Sequence, residues 1–332
     1  MGISIRTLRP AWAVSVALLA GFALTGCASD TTPPAVTETV PGTISGDRTT
    51  PPDPNLPDGP PDKVWPLTGV ATYQISEHPA LVLKVENSNL ARPQAGLEDA
   101  DIVYEQVVEG GITRFVAIFD SHLPDLVYPV RSARGSDIGI VLPTGGIFGY
   151  SGANRVFLNQ IDAAGIQSLT FDRGNRGFAR ISDRRAPHNI SADPAVLLSQ
   201  ANGSRVAPVP AQQLFARNAT ESTMAAGEPA NTISARMSNV QTTNWAWNPV
   251  IERYERYDGA TPSMTVSGER LSATNVILLS VQMTVVPGIT DASGARVPEV
   301  VLTGSGRAAF AAGGHYVEGT WVKGSNSEPF RF

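Results

Sequence analysis

Cysteine and lysine are nearly missing from this sequence of 332 residues: Cys27 is the single cysteine, and lysine occurs only as Lys63, Lys84 and Lys323. One cysteine cannot form a disulfide within the chain or supply the thiol cluster of a structural zinc site. The formal net charge is −5 at pH 7. Because nucleic-acid-binding proteins need a basic surface, we expect no nucleic-acid partner. The stability of the folded part must come from core packing.

Motifs of several enzyme classes are also missing. The chain has no GxxxxGK(S/T) or GxGxxG loop for phosphates, and no HExxH motif or acidic calcium loop for metals. The stretch GYSGAN is similar to a nucleophile elbow, but Ala153 stands where that elbow requires glycine, which argues against Ser151 as a nucleophile. We therefore expect no cofactor and no tightly bound metal.

Long apolar runs are confined to the N-terminus. Arg6 and Arg9 precede an apolar stretch, 11–23, that is short for a membrane-spanning helix, and LTGC follows, ending at Cys27. This order is typical of the lipobox of bacterial lipoproteins. We expect residues 1–26 to be a signal peptide and Cys27 to carry lipid, on the outer face of the cytoplasmic membrane. The alternative is an ordinary signal peptide with a chance cysteine.

The composition after Cys27 predicts how the chain divides into domains. Residues 27–62 are rich in threonine, proline, glycine and aspartate, with almost no large apolar side chains. Such a segment cannot bury enough surface to offset the entropy of ordering it, so we expect a disordered tether. The folded part changes character near residue 203. We expect an N-terminal domain over 63–203 and a C-terminal domain over 204–332.

A hairpin is the clearest local pattern of the N-terminal domain. Two strand-like runs within residues 100–120 meet at Gly110–Gly111, a dipeptide that is typical of a two-residue turn. That turn would place Val107 opposite Arg114, with Glu105 diagonal to Arg114 on the same face of the sheet.

The remaining patterns predict a mixed α/β (α+β) fold class. After the hairpin, strands alternate with the helix patterns SDIGIVL, NRVFLNQIDAAG and PAVLLSQA, the last of them capped by Asp193. The stretch RGNRGFARISDRRAPHN is expected to be a loop. Beyond residue 203, β-rich runs separated by glycine turns predict a smaller, mostly antiparallel β-rich domain.

Arginine is concentrated in two short stretches: YPVRSARGSD, with Arg131 and Arg134, and RRAPHNI, with Arg185 and His188. Arg131 and Arg134 follow an expected strand end, where open α/β sheets bind ligands, and a guanidinium binds carboxylate or phosphate through paired donors. The alternative for these arginines is internal pairing with Glu105, Glu109 or Asp137.

His188 also has two interpretations. It is either a loop histidine bonded to the backbone, or an acid/base or anion contact beside Arg185. We predict that the arginines and His188 converge on one concave surface near the hairpin. The candidate ligand-binding residues are Glu109, Arg114, Arg131, Arg134, Arg185 and His188.

Several of these stretches together resemble the YerB-like lipoprotein family (domain of unknown function 3048, N- and C-terminal domains). The resemblance is carried by KVENSNLARPQAGLEDADIVYE, EGGITRF, PVRSAR, YSGAN, RRAPHN, YERYDGATPSMTVSGERLSATNVILL and GSGRAAFAAGGHYVEGTW, from about residue 65 to the end. It implies an α/β domain followed by a β-rich domain, and it implies no reaction. Relatives tend to have glycine at the position of Ala153 and continue past the GTW hairpin with another strand-like stretch. We therefore expect a truncated or alternatively ended version with an unpaired strand at its edge.

Two functions remain open from the sequence. The first is a non-enzymatic binding or scaffolding lipoprotein of the cell envelope, with an arginine-rich anion-binding cleft for a cell-wall polymer or a wall-synthesis protein. The second is a hydrolase of anionic cell-wall glycans with Glu105 or Glu109 as acid/base. Glycoside hydrolysis needs two carboxyl groups at a set separation, which a sequence does not give.

Overall fold

The computed structural model describes residues 2–6, 61–213, 222–291 and 294–332, so Cys27 and nearly all of the expected signal peptide and tether lie outside the described residues. The strands of the N-terminal half are β1 (Gly2–Arg6), β2 (Lys63–Val64), β3 (Ala71–Thr72), β4 (Leu81–Glu86), β5 (Ile102–Val107), β6 (Thr113–Phe119), β7 (Ile147–Tyr150), β8 (Gln167–Thr170), β9 (Phe178–Arg180) and β10 (Ile190–Ala192). Its α-helices are α1 (Ile138–Val141), α2 (Arg155–Ala163) and α3 (Pro194–Leu198). Short 3-10 turns occupy Asn89–Ala91, Leu97–Asp99, Glu109–Gly111, Gly135–Asp137, Leu142–Thr144 and, further on, Thr223–Ala226.

A five-stranded mixed sheet is the centre of this half. Its strand order is β5-β6-β4-β7-β8, with β5, β6 and β4 antiparallel and β4, β7 and β8 parallel. All six residues of β4 are buried, as expected for a strand that is covered on both faces of the sheet. The carboxyl ends of β4 and β7 therefore lie side by side, and the candidate residues lie at this edge.

Two helices begin where the sequence predicts. The side chain of Asn154 accepts a hydrogen bond from the Val156 amide at the start of α2, and Asp193 accepts one from the Val196 amide at the start of α3. The stretch expected to be one long loop instead contains β9, which pairs with β10. No helix in the described part of the chain is both long and apolar enough to cross a membrane.

The hairpin of β5 and β6 differs from its prediction by one residue. Val107 pairs with Thr113, and the turn holds three residues, Glu109–Gly111. Both glycines have positive φ, and the Val108 amide bonds to the Ile112 carbonyl at 2.8 Å. Since side chains alternate between the two faces of a sheet, a shift of one residue changes which side chains of β5 and β6 lie on the same face. Gln106, and not Glu105, shares a face with Arg114. The predicted diagonal pair of Glu105 with Arg114 is therefore wrong.

Strands are the main regular elements in the described part of the C-terminal half. Its strands are β11 (Glu228–Pro229), β12 (Thr232–Arg236), β13 (Thr242–Asn248), β14 (Arg253–Asp258), β15 (Thr261–Pro262), β16 (Ser272–Ala273), β17 (Asn275–Leu279), β18 (Gln282–Thr290), β19 (Arg296–Val301), β20 (Gly304–Ala312) and β21 (His315–Lys323). Their pairings are all antiparallel, as the sequence predicts. One sheet has the order β1-β12-β13-β14-β15, another the order β11-β21-β20-β17, and β18 and β19 form a separate hairpin.

The outer edge of β21 is paired, which differs from the expectation of an unpaired edge strand. At its start it pairs with β11, and near its end the Val322 amide and carbonyl both bond to Arg331 at 2.8 Å. Phe330 is buried next to this bridge. The last residues of the chain thus fold back onto the strand and protect its edge.

A large hydrophobic cluster contains residues of both halves. Val82 and Val116 of the central sheet belong to the same buried cluster as Leu302, Trp321 and Phe330 of the C-terminal half. These side chains are almost completely excluded from water. The β-rich half therefore covers one face of the central sheet.

Candidate functional site

The two arginine-rich stretches are neighbours because residues 127–131 run beside β4, and β10 runs beside residues 127–131 on their other side. The Arg131 amide bonds to the Lys84 carbonyl at 2.8 Å, and the Val130 amide bonds to the Ile190 carbonyl at 2.7 Å. Residues 127–131 thus lie between β4 and β10, which follows RRAPHN directly. This arrangement places Arg131 and His188 at the carboxyl end of β4, where open α/β sheets bind ligands.

The carboxylate of Glu86, the last residue of β4, is the first centre of the site. His188 Nδ1 lies 2.9 Å from both carboxylate oxygens, and Ser88 Oγ donates to Oε1 at 2.8 Å. Because a carboxylate only accepts, Nδ1 of His188 carries the proton. Arg131 Nε lies 3.3 Å from Oε2 without the alignment of a hydrogen bond. The side chain of Glu86 is 2% exposed, against 21% for Arg131 and 18% for His188.

Arg134 and Glu109 form the second centre. Arg134 Nε and Nη2 donate to the two oxygens of Glu109 at 2.7 and 2.5 Å, which is the paired geometry that a guanidinium and a carboxylate prefer. Burial alone would raise the pKa of Glu109, but the bond and the charge of Arg134 outweigh it, so this pKa is lowered. The sequence left two interpretations open for Arg134, ligand binding and internal pairing. The structure shows internal pairing with Glu109.

Arg114 lies between these centres and has no carboxylate of its own. It faces Glu86 across the strand pair β4–β6. Its Nη1 donates to the Ser132 carbonyl at 2.7 Å, and its buried Nε has no acceptor among the described residues. Burial, with the charges of Arg134 and Arg131, lowers the pKa of Arg114 to about 9. At neutral pH it is therefore a buried cation that lacks a counterion in contact.

A fully buried ion pair lies on the same face of the sheet. Lys84 Nζ is 2.6 Å from Asp137 Oδ1, and neither side chain is exposed to water. The second oxygen of Asp137 accepts from the Arg134 amide at 2.8 Å. Gln106 Oε1 accepts from Lys84 at 3.4 Å, while the buried Nε2 of Gln106 has no acceptor within the described part of the chain.

The RRAPHNI loop is fixed by residues that the sequence analysis did not select. Arg184 donates to the carbonyls of Ala91 and Pro93, and its guanidinium lies over the ring of Tyr128.

Arg185 is exposed, and its side chain has no hydrogen bond or ion pair among the described residues. Five of the six candidate residues are thus brought together around Glu86 and Ser132, and Arg185 lies apart from their bonding network.

Lys84, Glu86 and Asp137 also belong to the site, although the sequence analysis did not select them. A signal for two of them is present in ALVLKVEN, where Lys84 and Glu86 alternate with apolar residues in an otherwise apolar strand. Ionic side chains on one face of a strand that is buried on both faces must find charged partners. Asp137 is named from the sequence only as a possible internal partner of Arg131 and Arg134, and its second oxygen accepts from the Arg134 amide.

The environments of Glu105 and Glu109 do not suit a general acid. Glu105 accepts hydrogen bonds from Thr113, Thr243 and Arg256, and the last two belong to the C-terminal half. Glu109 has a lowered pKa and both of its oxygens occupied. A carboxyl group that donates a proton at neutral pH needs a raised pKa instead.

Some buried donors of the site are unsatisfied within the described residues. Buried nitrogens of Arg114, Arg131 and Gln106 have no hydrogen-bond acceptor in the described part of the chain. Such groups cost free energy unless an acceptor reaches them. The described residues contain no cluster of three or more side chains suited to a metal ion. Two surface depressions, one beside Ser76 and one beside Trp245, include none of the candidate residues.

The fold and the site define a class of protein in which an α/β half and a β-rich half share one core, with an ionic cluster at the carboxyl end of the central strand. Comparison with known families identifies this class. Residues 67–207 match the N-terminal domain, and residues 233–332 the C-terminal domain, of a family described as "Protein of unknown function (DUF3048)". The chain belongs to this family, and the resemblance to the YerB-like proteins is confirmed.

Two relatives support the assignment. A Bacillus subtilis (strain 168) protein named "Putative lipoprotein YerB" is 39% identical over 128 residues, which are 37% of this chain and 38% of the relative. That sequence match therefore spans less than half of the relative's length. The crystal structure of YerB protein from Bacillus subtilis matches with a TM-score of 0.68 and 25% identity, over 80% of this chain and 89% of that chain. The shared fold thus includes both halves.

Proposed function

We propose that this protein is a lipid-anchored, extracytoplasmic binding or scaffolding protein of the cell envelope that holds an anionic ligand at Arg114 and Arg131. The ligand is a cell-wall polymer or an acidic group of a wall-synthesis protein. One observation carries the proposal: two guanidinium groups lie together at the end of β4 with buried donors that no described acceptor satisfies. A ligand carboxylate or phosphate would satisfy them and offset their charge.

The ligand would enter from the side of Arg131 and His188. These two side chains keep 21% and 18% of their surface exposed, whereas Glu86 beneath them is buried. The terminal nitrogens of Arg131 donate to no described group and remain for a ligand. His188 Nε2 points away from the bond that Nδ1 makes with Glu86, so it is a further possible contact.

Replacing Arg114 and Arg131 together with glutamine is expected to weaken the binding of an anionic probe strongly. Each charged contact in such a site contributes about 1.5–3 kcal/mol, so even one lost contact should raise the dissociation constant by tenfold or more. Calorimetric titration of the full chain with inorganic phosphate and with glycerol phosphate would measure the change.

The matched control is Arg307→Gln. Arg307 forms an exposed ion pair with Glu318 on the hairpin of β20 and β21, so its loss should leave the titration unchanged. If the wild-type chain binds neither probe, or if both variants bind as the wild type does, the anion site is refuted.

The anchor is the second part of the proposal, and Cys27 would carry it. The named lipoprotein relative supports it. Cys27→Ala is expected to abolish lipid attachment and to release the protein from the membrane fraction, or to leave the precursor uncleaved. Metabolic labelling with a fatty acid, followed by fractionation of the cells, would measure both effects. A variant that is processed and stays in the membrane like the wild type would contradict the anchor.

A further inference from the structure

Glu299 brings a carboxylate of the C-terminal half to the edge of the site. Strand β19 packs against the turns Glu109–Gly111 and Gly135–Asp137. Gly135 allows a close approach there, because a Cβ atom at this position would collide with Oε1 of Glu299. Gly135 directly follows Arg134, so the carboxylate of Glu299 lies beside the arginine-rich segment.

Glu299 has no partner among the described residues. It makes no hydrogen bond and no ion pair there, although it is half-buried. Burial, together with the like charge of Asp137, raises its pKa. Asp137 itself is satisfied by Lys84 and by the Arg134 amide. A half-buried carboxylate next to another carboxylate is stabilised by a cation or by a proton.

The charges of the whole cluster balance but are unevenly placed. Its cations are Lys84, Arg114, Arg131 and Arg134, and its carboxylates are Glu86, Glu109, Asp137 and Glu299. Considering the described residues alone, Arg114 has no carboxylate in contact and lies at Ser132, whereas Glu299 has no cation in contact and lies at Gly135. The site therefore has a positive end and a negative end.

We infer that Glu299 forms an ammonium subsite, so that the site binds a ligand carrying both an anionic group and a primary amine. The anionic group would contact Arg114 and Arg131, and the ammonium group would contact Glu299. This inference rests on the proposed anion site and adds a second contact to it. The Cα atoms of Ser132 and Gly135 are at most about 11 Å apart along the chain, so a small molecule can reach both ends.

Three phosphate compounds test the inference on the full chain: inorganic phosphate, O-phosphoethanolamine and N-acetyl-O-phosphoethanolamine. The last two differ mainly in the charge of the nitrogen. The wild-type chain is expected to bind O-phosphoethanolamine about tenfold more tightly than its acetylated form, as one charged hydrogen bond would give. Glu299→Gln should remove this preference and leave the affinity for inorganic phosphate equal or higher.

Two further variants complete the test. Glu299→Asp keeps the charge and should keep part of the preference, while Glu318→Gln changes an exposed carboxylate of another hairpin and should keep all of it. Because protonation neutralises Glu299, the preference for O-phosphoethanolamine over its acetylated form should decrease as the pH falls. The Glu299→Gln chain should not show this pH dependence.

The outcomes separate the two proposals. If the wild type binds phosphate but does not distinguish the two ethanolamine compounds, the ammonium subsite is refuted and the anion site stands. A preference that persists in a folded Glu299→Gln chain refutes the subsite as well. If no phosphate compound binds, the anion site fails and the subsite fails with it.

Discussion

Replacing Asp137 with alanine is expected to lower the free energy of unfolding by about 3–5 kcal/mol, the usual cost of leaving one member of a buried ion pair alone. Lys84 and Asp137 are both fully buried and 2.6 Å apart. Without Asp137, the Lys84 ammonium keeps only the 3.4 Å contact with Gln106 to replace the water it has lost. Urea unfolding followed by circular dichroism would measure the change.

The pH dependence of this variant identifies Lys84 as the cause. Burial lowers the pKa of Lys84 from 10.5 to about 8 in the wild type, against the opposing effect of Asp137. Loss of Asp137 lowers this pKa further. Between the folded pKa and 10.5 the unfolded chain binds more protons than the folded chain, so stability rises with pH in that window. The difference in the free energy of unfolding between the wild type and Asp137→Ala should therefore be smaller at about pH 10 than at about pH 7.

A double variant is the control for the ion pair. Lys84→Met with Asp137→Asn removes both charges and keeps an oxygen that can accept from the Arg134 amide. Replacing both members of a buried ion pair with uncharged side chains changes the free energy of unfolding little. The double variant should therefore recover most of the stability that Asp137→Ala loses. A double variant as unstable as Asp137→Ala would show that packing, and not the unpaired charge, causes the loss.

Replacing Glu105 with alanine is the second change with a large expected effect, a loss of about 3 kcal/mol. Glu105 accepts from Asn87 and Thr113 in the N-terminal half and from Thr243 and Arg256 in the C-terminal half. Arg256 is 4% exposed, so the substitution leaves a buried cation with one carboxylate fewer. Hydrogen exchange should become faster in β5 and β14, the strands that carry this pair.

The exposed pair of Arg307 and Glu318 is the matched control for Glu105. Glu318→Ala removes a carboxylate from an arginine on the surface, where such pairs contribute about 0–1 kcal/mol. A similar loss in both variants, or faster exchange confined to the N-terminal half of the Glu105 variant, would contradict the role of Glu105 in joining the halves.

Helix starts and turns are predicted well from the sequence where the residues that determine them lie within a few positions of each other. The starts of α2 and α3 depend on Asn154 and Asp193, whose side chains bond to amides two or three residues further on. The hairpin at Gly110–Gly111 was located correctly, but its register was not. A pair of glycines allows a two-residue or a three-residue turn, and one residue decides whether Gln106 or Glu105 shares a face with Arg114.

The site was predicted in part, because its residues are joined over long distances in the sequence. The arginine-rich stretches indicated Arg131, Arg134 and His188, since positive charge in an acidic chain needs partners. Glu86 and Glu299 became recognisable only through the fold, which brings Glu86 to His188 across 102 residues. No local pattern distinguishes such a carboxylate from one that is exposed to solvent.

The hydrophobic cluster shared by the two halves has a consequence for the order in which the chain can fold. Trp321 and Phe330, near the end of the chain, cover the same sheet face as Val82 and Val116. A growing chain cannot complete the burial of that face until Trp321 and Phe330 have been synthesised, so its folding depends on contacts of very long range. The N-terminal family domain therefore lacks part of its hydrophobic core until Trp321 and Phe330 of the C-terminal family domain are in place.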